Sequence, residues 1–165
     1  RTIEDAAGGA TVIGCKTFGH LAAGVHAVQR VGDDTSGRNW EVTRSDGIAT
    51  LVRLPQNNTF FSHDPDCAAF TDMVPHGANL DFLEAAAITG ATTLASVTPH
   101  ILSAASMARI RSIYKVASQG GLGAMPEDWL GHHEPSVFTA ADGRRFAFDW
   151  YGIYNGARTF YTWSN

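Results

Sequence analysis

Four short β-prone runs interrupt the first two-thirds of the chain, and each leads into polar residues. They lie at 10–13 in GGATVIG, 28–31 in HAVQRVG, 59–62 in NNTFFSH and within ATTLASVTP at 91–99. Helical patterns separate the later runs. TSGRNWEVTRSDG reads as a helix from a Ser36 N-cap to about Ser45, and IATLVRLP suits either its continuation or a strand, stopped by Pro55. NLDFLEAAAITG predicts a helix capped by Asn79 and ended by Gly90. SAASMARIRSIYKVASQGG predicts an amphipathic helix closed by Gly120. Strands alternating with helices argue for an α/β fold built of βα units around a parallel sheet, because parallel neighbours need a long crossover. The first run, apolar on both faces, suits a buried strand.

The polar residues fall at the C-terminal ends of these strands. Cys15, Lys16 and His20 follow the first; Arg30, Asp33 and Asp34 follow the second; His63, Asp64 and Asp66 follow the third; Ser96 and Thr98 close the fourth. In a (β/α)8 barrel that edge carries the active site, and four units amount to half a barrel. Beyond them, SVFTAADGRRFAFDWYG predicts a hairpin turning at Asp142-Gly143, and the aromatic tail IYNGARTFYTWSN is expected to pack back on the body.

Composition limits the partners. Only 17% of the 165 residues are charged, against roughly 25% in an average soluble domain. Such a chain is expected to bury much of its surface in something larger or against a partner. Net charge is −4 and the lysines are only Lys16 and Lys115, so no basic stripe offers itself to nucleic acid. No apolar run reaches the roughly 18 residues of a membrane span, and no signal peptide is visible, so compartment is left open. Cys15 and Cys67 make no disulfide framework, and neither CxxC nor HExxH occurs to suggest a metal site. Asn57-Asn58-Thr59 is a glycosylation sequon of low specificity. The start at Arg1, close to an apolar segment, reads like a piece of something longer.

Carboxylates gathered on one rim suit two chemistries. Glycoside hydrolysis needs one carboxylic acid to protonate the leaving oxygen and a second carboxylate to attack or to activate water. Metal-assisted hydrolysis needs carboxylates and histidines as ligands, and His20, His63, Asp33, Asp34, Asp64 and Asp66 are of the right type. Taken singly, Asp-Asp-Thr-Ser-Gly and Asp-Pro-Asp also read as ordinary turns. Their recurrence at successive strand ends argues for a site.

QRVGDD and FFSHDPDC resemble the strand-six and strand-seven motifs of retaining α-galactosidases and α-N-acetylgalactosaminidases, glycoside hydrolase families 27 and 36. Those enzymes carry an arginine four residues before an aspartate at the end of strand six, the relation of Arg30 to Asp34. They also carry Asn-Asp-Pro-Asp after strand seven, where this chain has His63-Asp64-Pro65-Asp66. NLDFLEAAAITGATTLASVTP is similar to the family's seventh helix and its buried eighth strand, and GCKTFGH to its strand-five substrate loop, with Cys15 at the matching cysteine. The likeness covers about residues 10–120.

The resemblance implies the C-terminal half of a catalytic (β/α)8 barrel, with strands five to eight over residues 1–128 and a hairpin and tail over 129–165 packing on it. It implies Asp34 as general acid/base, with Arg30, Asp64, Asp66 and the Cys15, Lys16 and His20 loop binding a terminal α-linked sugar, and no cofactor. Lys16 stands where family 27 has a glutamate or small residue reading the sugar's 2-substituent, so the sugar is left open, with His20 the candidate replacement contact. A general acid needs its pKa raised, so Arg30 is expected to aim at substrate or at Asp33 rather than at Asp34. The family's nucleophile is an aspartate two residues after a lysine on strand four. No Lys-x-Asp occurs here, so the nucleophile is expected upstream, on the missing barrel half or on another chain covering the open edge.

Two rivals stand beside this reading: a metal-dependent hydrolase using His63, Asp64, Asp66 and Asp34, and a non-catalytic half-barrel binding sugar or a partner. The remaining candidates have blander readings. Cys15 and Cys67, with His20 or His63 as base, are first of all small buried side chains. His132-His133 reads as loop packing, and Arg144-Arg145 as an exposed pair. Glu84 is expected to face solvent or a neighbouring helix. At least three of Trp40, Trp129, Trp150 and Trp163 read as core or interface rather than sugar platforms.

Overall fold

The computed structural model describes residues 2–132 and 134–152. The elements run α1 (Thr2–Ala6), β1 (Ile13–Gly14), α2 (Gly19–Ala22), β2 (Val28–Arg30), α3 (Trp40–Val52), a 3-10 turn (Leu54–Gln56) and β3 (Ser62–Asp64). They continue as β4 (Cys67–Phe70), α4 (His76–Thr89), β5 (Leu94–Val97), α5 (Ala104–Ala117), β6 (Met125–Pro126), β7 (Val137–Thr139) and β8 (Arg145–Ala147). Strands β1, β2 and β3 pair in parallel in that order, and β4 pairs in parallel with β5. Only Pro65 and Asp66 separate β3 from β4. Pro65 has no N–H to donate, and Asp66 takes a left-handed φ of 69°, so an otherwise continuous strand breaks there. Its first half turns to β2 and its second to β5. The result is mixed α/β with small parallel sheets, and the described strands close no barrel.

Helix α3 starts later and runs further than the sequence suggests. Ser36 is not its cap, because the segment before it is tied elsewhere. The Thr35 N–H donates to Asp66 Oδ2 at 2.7 Å, its hydroxyl donates to the Cys67 carbonyl at 2.6 Å, and Thr71 donates to the Gly37 carbonyl. The helix begins once Asn39 can accept from the Glu41 N–H at 2.9 Å, and it carries IATLV as helix to Val52. Asn79 likewise caps nothing. Helix α4 starts at His76 after Pro75, and the buried Asn79 amide donates to the Ala69 carbonyl of β4 at 2.9 Å. Its other end is as expected: Gly90 takes φ 77° and returns its N–H to the last turn. The third strand lies at Ser62–Asp64 rather than 59–62, and the first is only Ile13–Gly14.

One core joins α3, α4, α5 and the C-terminal hairpin, centred on Phe70, Phe82, Leu83, Ile88, Ile113, Phe138 and Trp150. The hairpin turns at Asp142-Gly143 as expected, with Gly143 at φ 85°, and β6 adds a third antiparallel strand. Trp40 and Trp150 are buried and Trp129 packs against the core, while Trp163, the rest of residues 153–165 and His133 lie outside the described residues. Arg109 of α5 binds Asp81 and Glu84 at 2.8 and 2.6 Å, so Glu84 faces a neighbouring helix. Arg144 and Arg145 are exposed, pairing with Asp142 and Glu127. The edge strands depart from expectation. Ile13, Leu94 and Val97 are exposed, because among the described residues neither β1 nor β5 has a further strand beyond it.

Candidate functional site

The parallel register sets Arg30 directly opposite Asp64, at the C-terminal ends of β2 and β3. From there the guanidinium gathers three carboxylates. Its Nε lies 2.9 Å from Asp64 Oδ2, and its Nη1 lies 3.1 Å from both Asp34 Oδ1 and Asp66 Oδ2. Asp64 also accepts the Asp66 N–H at 2.9 Å, which holds the left-handed turn in place. Burial acts to lower the Arg30 pKa, but the Asp64 hydrogen bond and the neighbouring negative charges outweigh it and the net shift is upward. This cation stays charged at any accessible pH. Asp34, 66% exposed, is the outermost of the three partners, whereas the Asp64 side chain is 1% exposed.

The expectation that Arg30 would avoid Asp34 is therefore wrong. The loop after β2 turns back, with the Asp34 N–H donating to Asp33 Oδ1 at 3.0 Å, and the shared guanidinium ends within reach of Asp34. Asp34 and Asp66, meeting on one nitrogen, share one rim. Lys16 adopts φ 54° and sits 3.8 Å from Asp33, an exposed pair of small energetic weight. Cys15 is exposed. His20, in α2, lines a cavity of about 310 Å³ with Thr17, Phe18, Gln29, Arg30 and Arg53, so the loop after β1 and Arg30 border one space.

His63 does not join them. One residue before Asp64 on the strand, it points away from it, fully buried, with its ring 5.6 Å from Phe61. Neither ring nitrogen has a hydrogen-bond partner of good geometry. Burial first, then the Arg53 charge, pulls its pKa down to about 4 against a backbone contact from Thr50, so the ring is neutral. Its backbone N–H donates to Asn57 Oδ1 at 2.8 Å, which gives the sequon asparagine a structural task. Among the described residues no group of three His, Cys, Asp or Glu side chains is arranged to hold a metal ion. The carboxylates of the metal reading converge on Arg30 instead. Burial raises the Cys67 thiol pKa, and its neighbour is the Thr35 hydroxyl at 3.7 Å rather than a histidine.

Asp46 went unnoticed in the sequence. It lies on α3, 3% exposed, with Oδ1 accepting the Asp33 N–H at 3.0 Å and Oδ2 without a partner. Burial, helped by the charges of Asp33 and Asp66, lifts its pKa to about 7, against the Asp33 N–H and Arg30. A signal was present. Thr43, Asp46, Gly47 and Thr50 fall at helical spacing on one buried face, a polar stripe that a surface helix would turn to water. Neither a protein-family model nor a curated protein matches the chain.

Proposed function

We propose that the chain is strands five to eight of a (β/α)8 barrel in a retaining α-glycosidase of the α-galactosidase type. Asp34 protonates the glycosidic oxygen and then activates water. Arg30 and Asp66 grip the sugar hydroxyls, and Cys15, Lys16 and His20 border the sugar from the loop after β1. Asp64, expected among the sugar contacts, is buried with both oxygens engaged and instead holds Arg30 and the Asp66 turn from beneath. A carboxylate on an upstream segment supplies the nucleophile, about 5 Å from Asp34 as a retaining site requires. The observation that carries this reading is the meeting of Asp34, Asp64 and Asp66 on Arg30 at the C-terminal ends of adjacent parallel strands. The Asp34–Arg30 contact is the one nearest solvent. It is the bond that gives way when a substrate enters, freeing the carboxyl for proton transfer. Ile13, Phe18 and Leu21, exposed around β1 and α2, suit the apolar interior of a completed barrel.

The test uses the full-length polypeptide with aryl α-galactosides of graded leaving groups. Asp34→Ala is expected to lower turnover of poor leaving groups by about 100-fold or more, with far less effect on activated ones. Equal loss on both removes Asp34 from the proton-donor role. Absence of hydrolysis of every aryl α-glycoside by the unsubstituted protein ends the reading.

A further inference from the structure

Asp46 occupies a costly position. A carboxyl taken out of water is normally balanced by a cation or by several donors, and here one oxygen meets a single backbone N–H while the other meets nothing. The rim loop is shaped around it. A Cβ on Gly32 would lie 1.9 Å from Asp46 Oδ1, so the backbone at 32 approaches as only glycine allows. The next residue, Asp33, delivers its N–H to that same oxygen, and Asp34 follows with its carboxylate on Arg30.

We propose that Asp46 is the positioning residue of the rim, gripping residues 32–33 from α3 so that the Asp34 carboxylate is held at Arg30. This rests on the glycosidase reading for its catalytic consequence, and on geometry alone for the grip. Three charged groups act on the Asp46 carboxyl from the elements around it: Asp33 on the gripped loop, Asp66 after β3, and Arg30 at the end of β2. A neutral Asp46 keeps an acceptor oxygen for the Asp33 N–H without adding a fifth negative charge beside Asp33, Asp34, Asp64 and Asp66. Its ionisation would set that charge against Asp33 and Asp66 and loosen the loop.

The experiment compares Asp46→Asn, Asp46→Leu and Gly32→Ala in the full-length protein. Asparagine keeps an acceptor in place, leucine removes it, and the alanine methyl pushes the loop off from the other side. The activity-independent arm is amide hydrogen exchange at Asp33. Protection is expected to fall at least about 10-fold in Asp46→Leu and Gly32→Ala and to survive in Asp46→Asn. Unchanged protection in both disruptive variants, or equal loss in Asp46→Asn, overturns the grip. The second arm is the leaving-group series. Asp46→Leu and Gly32→Ala are expected to lose poor leaving groups selectively, as Asp34→Ala is expected to, with Asp46→Asn near the unsubstituted rate. Uniform loss across leaving groups overturns the link to Asp34. A protein that hydrolyses no aryl α-glycoside sinks the glycosidase reading, and hydrogen exchange then still decides the grip.

Discussion

Helix α4 and the N-terminal segment through α2 are both rich in apolar residues, yet they end in opposite situations. Ten of the fourteen residues of α4 are buried. Across residues 2–22 only Gly14 and Ala22 are buried, while Ile3, Phe18 and Leu21 stand 71%, 73% and 69% exposed. The difference lies in neighbours rather than in composition. Helix α4 is flanked by α3, α5 and β4, and Gly47 of α3 lets the Phe82 ring approach so closely that a Cβ there would lie 2.9 Å from it. The N-terminal segment has β2 on one side and, among the described residues, no strand on the other. Apolar side chains are necessary for a core, but a second surface decides whether they form one.

The largest effect that tests this contrast is expected at Phe82. Phe82→Ala removes a ring from the centre of the core and should cost about 3–5 kcal/mol in denaturant unfolding. Such a loss approaches the whole stability of a marginal domain, so the variant is expected to be largely unfolded at 37 °C. A cost below about 1 kcal/mol would mean that α4 is not the centre of the fold and would break the comparison.

The parts legible in the sequence are those governed by local backbone rules. Gly90 ends α4 because the left-handed C-terminal position excludes few residues as weakly as glycine, and Asp142-Gly143 makes its turn for the same reason. The rim residues were legible too, since the C-terminal ends of parallel strands lie side by side whatever the details of packing. What could not be read locally was decided across the chain. Ser36 lost the N-cap to Asn39 because Thr35 is bound to Asp66 and Cys67, thirty-odd positions away. Asn79 became a buried donor because the Ala69 carbonyl needed one. His63 looked like a rim ligand from its neighbours, but strand alternation turns it inward from Asp64. Asp46 was hidden by being a charged residue in a helix, where solvent exposure is the usual outcome.

Asp46 and His63 sharpen the comparison at the next scale down, because the compact part of the molecule buries them while the N-terminal segment buries no ionisable side chain. Their shifts pull stability in opposite directions. The folded Asp46 keeps its proton up to about pH 7, while the unfolded chain releases it near 3.8, so its contribution is full below 3.8 and is lost as pH rises through 7. The folded His63 refuses a proton down to about pH 4, while the unfolded chain accepts one at 6.5, so its contribution is full above 6.5 and is lost as pH falls through 4. Between pH 4 and 6.5 the two slopes cancel. Asp46→Asn should therefore unmask stability that rises with pH, and His63→Gln stability that falls with pH, each by about 1.4 kcal/mol per pH unit. Chemical denaturation across that window reads both. A variant whose slope matches the unsubstituted protein assigns its residue an ordinary pKa.

The smallest expected effect carries the most information about whether the apolar face around β1 is covered. Phe18→Ser removes a large ring that touches little of the folded body, so in this chain alone it should change unfolding free energy by no more than about 0.5 kcal/mol. The same ring borders the cavity beside Arg30 and His20, the place where the proposed barrel interior would close. In a polypeptide that carries the proposed other half of the barrel, burial against it would give the ring a second surface, and the same substitution should then cost about 3 kcal/mol, as for a core aromatic. The measurement is thus a difference between two small numbers or between a small and a large one, made with one substitution in two lengths of chain. Equal, negligible costs in both would leave the apolar face around β1 without a covering half, and with it the half-barrel would lose its strongest physical motive.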